Sequence, residues 1–580
     1  MTNRRLIAGL LAIGLFGSVA LTTQAGAVTK TTKKKATKAK TTKAPAKPAA
    51  TQAPATQAPA PVAAAPAPGG ASGGSAIVAV TNETTSGWLP GDAQWGAPGG
   101  TVSGAVFDRM FLRSPEGELV PNLVLSAVAS SDSKTWVFTA RSGVKFHNGE
   151  VLDGAALAAN FESVRTGAVT GVLFGNLIGC TGSGQAATCT MKVPWVSFDQ
   201  LFIGQVGAVA APAQIKAKDR QHPIGTGAFM CKGDCWIPNQ SMKLIKNPDY
   251  WQKGLPKLDS IEFRPIVDED QRQAQLLSGQ VQFEQTGSFS SGRELAAQAK
   301  DKKIVLMTNE DGNATTYDIV NLVKRDNPLL DVRLRQAWAY AIDIDTLIKV
   351  RAPDATAAYG PFAKGVLGYL EDSGYPKFNL DKAKSLVDAY KKEKGVDKVS
   401  VILGTTNNPD TLADVAVMKQ MVDKAGFDVK IAPAQDTSAY QNTVFTAGPL
   451  DVMPWAWLPY TDPDTFSAFL GSSGCGGPQA CPFTAGRNVL NWGRVVDGTV
   501  DTAFDQIRSN SDPAVRKRAA ESINRIYGDQ AYHLWRWRSR LIVAGCAKCG
   551  GLTDTVGPKG EKVTQGTTAH FLGAPWLTVG

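Results

Sequence analysis

Eight cysteines, four histidines and two aspartates spaced two apart are the side chains of this 580-residue chain best suited to chemistry beyond packing. The cysteines form close pairs: Cys180 with Cys189, Cys231 with Cys235, Cys475 with Cys481, and Cys546 with Cys549. Thiols at such spacing either oxidise locally or ligate a metal, and Cys231-x3-Cys235 with Cys546-x2-Cys549 has the makings of a four-thiolate zinc site. Four local disulfides are the simpler assignment for a chain whose start reads as an export signal, because exported proteins sit in oxidising surroundings. His147, His222, His533 and His570 are scattered, and none opens a His-Glu-x-x-His zinc motif. The absence of any Gly-Lys dipeptide excludes a Walker phosphate loop. Gly70-Ala71-Ser72-Gly73-Gly74 fits the Gly-x-Ser-x-Gly nucleophile pattern but lacks the strand and helix that strain such an elbow. Asp462 and Asp464 have the spacing of an acid/base pair, yet carboxylates two apart in a loop are ordinarily solvated. No catalytic residue, metal or cofactor is therefore expected, and a secreted hydrolase ranks last among the readings.

What remains is recognition without reaction. Trp455, Trp457 and Tyr460 cluster beside Asp462, and exposed aromatics in a cleft suit ligand stacking. The competing reading for each tryptophan is a core side chain on a buried strand.

Charge narrows the partners. Residues 1–75 hold Arg4, Arg5 and eight lysines with no acidic residue. They account for the whole net charge of +10, leaving 51 basic and 51 acidic side chains in the rest. A nucleic-acid-binding domain needs its excess cations on the folded surface, so nucleic acid is excluded. Residues 1–27 read as a secretory signal: Arg4 and Arg5, an apolar run from Leu6 to Leu21, then Ala25-Gly26-Ala27 for cleavage. The run of 16 residues is shorter than the roughly 20 that span a bilayer, which favours cleavage over anchoring. The first cysteine is Cys180, so no lipobox cysteine is available. Residues 28–75, rich in Lys, Thr, Ala and Pro, are expected to be a disordered linker that acts as a spacer or holds the protein near anionic envelope polymers.

From Ala76 onward, the pattern predicts mixed α/β structure. Ala76–Val80 reads as a buried strand, and Trp136–Ala140 with Gly143–Phe146 as strand, turn, strand. Met242–Ile245 and Ile261–Phe263 read as further strands. Helices are predicted from Asp153 through Phe161, from Asp268 to Ser278, and from Asp331 to about Val350. In the last of these, Leu334, Ala337, Trp338, Ala341 and Ile342 make one apolar stripe. Val399–Leu403, a helix over 412–425 stopped by Gly426, and Phe427–Ile431 form a βαβ unit. Asp512-Pro513 caps and starts a last helix.

Three segments together resemble the family-5 extracellular solute-binding proteins of ABC importers, the oligopeptide- and dipeptide-binding class. Trp136 to Gly149 (WVFTARSGVKFHNG) is similar to the pattern W-x-F-x-L-R-x-G-V-x-F-H-D-G. Pro223-Ile-Gly225-Thr226-Gly227, Asn247-Pro248-Asp249-Tyr250-Trp251, Leu258-Asp259-Ser-Ile261 and Ser278-Gly279-Gln280-Val281 follow the family order. Asp331 to Asp343 (DVRLRQAWAYAID) is similar to the family helix D-V-R-V-R-Q-A-x-x-Y-A-I-D. The likeness covers most of residues 76–541.

The resemblance implies a two-lobed periplasmic-binding-protein-like fold of type II, of the large cluster with an extra subdomain in lobe I. Lobe I would be 76–313 with an inserted subdomain near 105–205, lobe II 314–540, and 541–580 a return to lobe I. It also implies a monomeric, exported, non-enzymatic binder that captures a small solute, foremost an oligopeptide, between hinged lobes and passes it to an ABC permease. One departure bears on the ligand. Peptide binders of the family place an aspartate after a Gly-Trp to pair with the peptide's α-ammonium; here Leu458 or Pro459 takes that position. Asp462 is the alternative carboxylate. Otherwise Trp455, Trp457 and Tyr460 form a stacking wall for an oligosaccharide, a blocked peptide or another neutral solute. A wall-associated binding or structural protein is the rival of another class, supported by the basic linker and the missing lipid site.

Overall fold

The computed structural model describes residues 72–83, 87–93, 95–353, 355–446, 448–457, 462–472, 490–567 and 570–580, with the side chains at 309–314, 438, 457, 539 and 567 left aside. The chain divides into two units, 1–61 and 62–580, and the fold belongs to the second. The proposed signal and residues 28–71 of the linker lie outside the described residues.

One twisted sheet organises the fold. Its strands run in the order 427–431, 399–403, 452–457, 304–320, 533–546, 283–286, 75–80, 260–265, 241–246 and 229–230. The predicted βαβ unit is present: 399–403 and 427–431 pair in parallel, with Val399 opposite Phe427. Their crossover helix, Pro409–Asp423, starts at an Asn408 cap, and Gly426 turns the chain at a φ of +98°. The core gathered around Trp338, Phe427, Tyr440 and Phe504 covers one end of this sheet. A second core around Val78, Trp95, Phe263 and Phe571 covers the other. A third, rich in phenylalanine, lies within residues 110–211, beneath a separate sheet ordered 124–129, 135–140, 186–191, 177–183.

Local chemistry explains most helix starts. Asp153, Asp268 and Asp512 each accept a backbone N–H from the first turn, as the sequence predicted. The helix expected over 331–350 is two helices, Val332–Ala341 and Ile344–Arg351. Asp343 is the cause: its carboxylate accepts the Thr346 N–H at 3.0 Å and its hydroxyl at 2.7 Å, capping a new helix one residue past the apolar stripe. Gly143–Phe146 is not a full strand and makes only a bridge between Lys145 and Val151.

The cysteines settle one alternative. Cys180–Cys189, Cys231–Cys235 and Cys546–Cys549 are disulfides, so the thiolates of a zinc site are not available at those positions. The fourth disulfide expected from the sequence does not join these three: Cys475 and Cys481 both lie outside the described residues. Among the described residues no helix is long and apolar enough to cross a membrane.

Candidate functional site

Strands 304–320 and 533–546 pair antiparallel over almost their whole length and pass from the second core into the first. Their register slips between Asn309 and Ala314, and the ladder resumes at Ala314 opposite Ser539. This crossover is where the two cores are joined. It is lined by charge: Arg536 and Arg538 belong to a Trp-Arg-Trp-Arg run whose alternation sequence reading passed over. Arg536 lies 3.2 Å from Asp318 and 3.6 Å from Asp414, with its guanidinium 5.0 Å from the Trp537 ring centre. Burial pushes the Asp318 carboxyl up to about 6, against the pull of Arg536. Arg538 donates to the carbonyls of Gly360 and Phe362 at 2.7 and 3.0 Å, and to the Thr315 hydroxyl. Its donors are spent on holding the 360–362 loop, so it is a brace. Ser288, at the start of helix Phe289–Lys300, donates to Asp410 at 2.7 Å, and Arg351 ties Asp410 to Asp414.

Strand 452–457 lies beside this crossover, with Trp455 opposite Tyr317 and Trp457 opposite Thr315. The Trp455 ring packs against Trp492 at 4.7 Å, Phe445 at 6.2 Å and Tyr440 at 6.4 Å, which makes it a half-buried part of the core edge. Trp457 continues the strand, and its side chain lies outside the described residues, as do residues 458–461, among them Tyr460 and the Leu458 and Pro459 that stand where the family aspartate is expected.

Asp462 and Asp464 do not form a pair. Asp462 caps the turn by accepting the Asp464 N–H at 2.9 Å and takes two hydrogen bonds from Arg516 Nη2, at 2.8 and 2.6 Å. Its charge is thus compensated within the fold. Asp464 is buried on Arg508, whose Nε sits 2.9 Å away, and also accepts from Trp195 and Ser197 of the inserted region. Sequence reading missed Trp195, Ser197, Asp199 and Arg508, since contacts hundreds of residues apart leave no local mark. The histidines stay apart: His147 bridges Gly225 and Gly227, and burial pushes its imidazole down to about 4.

The Gly-Thr-Gly run of the family pattern packs against the end of helix Gly96–Val106. A Cβ on Gly225 or Gly227 would meet the Val106 carbonyl oxygen at 2.0 or 2.5 Å, so only glycine permits that approach.

Comparison with known proteins matches this architecture. Residues 118–478 fit the family described as bacterial extracellular solute-binding proteins, family 5 middle. A glutathione-binding protein of Pectobacterium atrosepticum is 27% identical over 366 residues, covering 61% of this chain and 68% of the relative. A glutathione-binding protein of Shigella boydii is 30% identical over 275 residues, 46% of this chain and 51% of its own. The chain thus spans about half to two thirds of the length of the curated relatives it matches. Among solved structures, the periplasmic binding protein AgaA of A. tumefaciens R10, in complex with agropinic acid, superposes with a TM-score of 0.72 at 20% identity, covering 87% of this chain and 99% of that one. DppA of Helicobacter pylori, in complex with the peptide STSA, gives 0.72 at 19%, covering 87% and 98%.

Proposed function

This chain belongs to the bacterial extracellular solute-binding proteins of family 5, and from that premise we propose that it captures a small solute outside the membrane and delivers it to the permease of an ATP-driven importer. The observation that carries the proposal is the crossover of strands 304–320 and 533–546 between two cores. Two long strands whose register slips twice, between Asn309 and Ala314 and again between Thr316 and Tyr317, suit a hinge, and a hinge lets two lobes close on a ligand. On this reading lobe I is 76–313 with 541–580, the inserted subdomain spans about 105–205, and lobe II is 314–540. The protein is a monomer exported on residues 1–27, with 28–75 as its tether.

The ligand we propose is an oligopeptide or a peptide-like solute, the chemistry for which the relatives are named. It is held by stacking and backbone hydrogen bonds, because Leu458 and Pro459 offer no carboxylate for an α-ammonium and Asp462 is engaged by Arg516. The same observation favours, as a second reading, a neutral solute such as an oligosaccharide.

Mass spectrometry of ligand released from purified protein, with a thermal-shift screen of peptides and oligosaccharides, separates the two. A ligand present at a hundred times its Kd stabilises the folded state by about 2.7 kcal/mol, well within reach of the screen. A protein that carries no solute and gains stability from neither class defeats the capture reading.

A further inference from the structure

Two segments separated by 269 residues meet between the third core and the first. Trp195 donates its indole N–H to Asp464 Oδ2 at 2.6 Å, and Ser197 donates its hydroxyl to the same oxygen at 3.2 Å. From the other side Arg508 donates through Nε to Oδ1 at 2.9 Å and through Nη2 to Ser467 at 3.1 Å. The same guanidinium lies 4.2 Å from the Trp195 ring centre, and the Val196 N–H donates to the Arg508 carbonyl at 2.9 Å. Trp195, Asp464 and Arg508 are 0, 2 and 2% exposed, so a desolvated ion pair is stacked on, and hydrogen-bonded by, a tryptophan from another core. Val172 and Leu173 extend the contact by packing against the first core.

We infer that residues 195–197 and the turn 462–467, with Arg508, form a clasp that holds the cleft shut without help from a ligand. The inference rests on the hinged-lobe reading of the function. The indole, hydroxyl and backbone contacts supply the grip, and the buried Asp464–Arg508 pair is the anchor they hold.

Small-angle scattering from the mature protein, stripped of solute by unfolding and refolding, reads closure without any ligand or permease. The expected result is a compact wild-type protein without solute and a larger radius of gyration for Trp195→Phe, which keeps the ring but loses the donor, with circular dichroism unchanged in both. A wild type that is open without solute, or a Trp195→Phe variant as compact as the parent, overturns the clasp. Because no solute enters the measurement, failure of the ligand screen and failure of the clasp are separate results.

Discussion

Glu284 should make this protein more stable in mild acid than in mild base, and neutralising it should abolish the difference. The residue sits on strand 283–286 in the middle of the main sheet, with Ala79 opposite it on one side and Ala544 on the other. Leu276, Val281, Leu295 and Ile542 close the apolar cluster around that row, and Glu284 is 1% exposed. Its Oε2 has no hydrogen-bond partner among the described residues. Burial pushes the carboxyl from the ordinary 4.5 up to about 7; Arg272 opposes the shift, and the nearby Glu269 adds to it. A group raised in this way binds its proton more tightly folded than unfolded, so its stabilising proton is fully present below 4.5 and lost as pH rises through 7. Glu284→Gln keeps the shape and removes the charge. The variant is expected to be more stable than the parent by about 3 kcal/mol at pH 8, about 2 at pH 6 and near zero at pH 4. Arg272 keeps Glu269 at 3.2 Å, so the exchange leaves no orphaned cation. Urea unfolding midpoints of both proteins across pH 4–9 test this. A variant less stable than the parent at pH 8, or a stability difference that does not change with pH, refutes the reasoning.

Three further substitutions probe the strand and turn at the candidate site. Trp457→Ala is expected to weaken binding of whatever solute the mass spectrum identifies while leaving the melting temperature in place; unchanged affinity removes Trp457 from the cleft. Trp455→Ala, by contrast, is expected to cost about 3 kcal/mol of stability, because its ring fills a space among Trp492, Tyr440 and Phe445; a loss below about 1 kcal/mol in chemical unfolding contradicts that packing. Arg516→Ala strands the Asp462 carboxylate and is expected to cost about 3–5 kcal/mol. Adding Asp462→Asn should recover part of that loss, and a double variant no better than the single one shows that the pair is not coupled.

What was legible in the sequence was local. Asp153, Asp268 and Asp512 announce helix starts because a cap and its acceptor sites lie within three residues of each other. The βαβ unit of 399–431 was readable for the same reason, through alternation, a helical run and one glycine. The helix over 331–350 was misread where two local signals compete: the apolar stripe runs on to Ile342, while Asp343 starts a new cap. Asp462 shows the limit of such reading. A carboxylate beside aromatics looks poised for a ligand until Arg516 arrives from 54 residues away. Neither Trp195 nor Asp464 carries a local mark of its partner, and Glu284 reads as an ordinary strand residue until both flanking strands are known.

Two of the three family segments, separate in sequence, turn out to share a purpose. Thr226 of the Gly-Thr-Gly run and Trp251 of the Asn-Pro-Asp-Tyr-Trp turn donate to Asp108 Oδ2 at 3.0 and 2.8 Å, while Tyr250 donates to Oδ1 at 3.0 Å. Arg141, from the Trp136–Gly149 motif, lies over the Trp251 ring at 5.0 Å and donates through Nε to the Asn122 carbonyl at 2.7 Å. One carboxylate thus gathers donors from two runs of one segment, and Arg141 of the other segment leans on it through an aromatic ring. Asp108 stands where the chain leaves helix Gly96–Val106 for the third core, so this hub fixes how the inserted region is mounted on the main sheet. Burial raises the Asp108 carboxyl while its three donors hold it down, a balance that needs all of them in place. Segment 195–199 reaches Asp464 only from a rigid mount, because an indole hydrogen bond tolerates only a few tenths of an ångström. These residues therefore support the proposed clasp without touching a ligand: motifs that identify the fold also fix the mount from which Trp195 reaches Asp464.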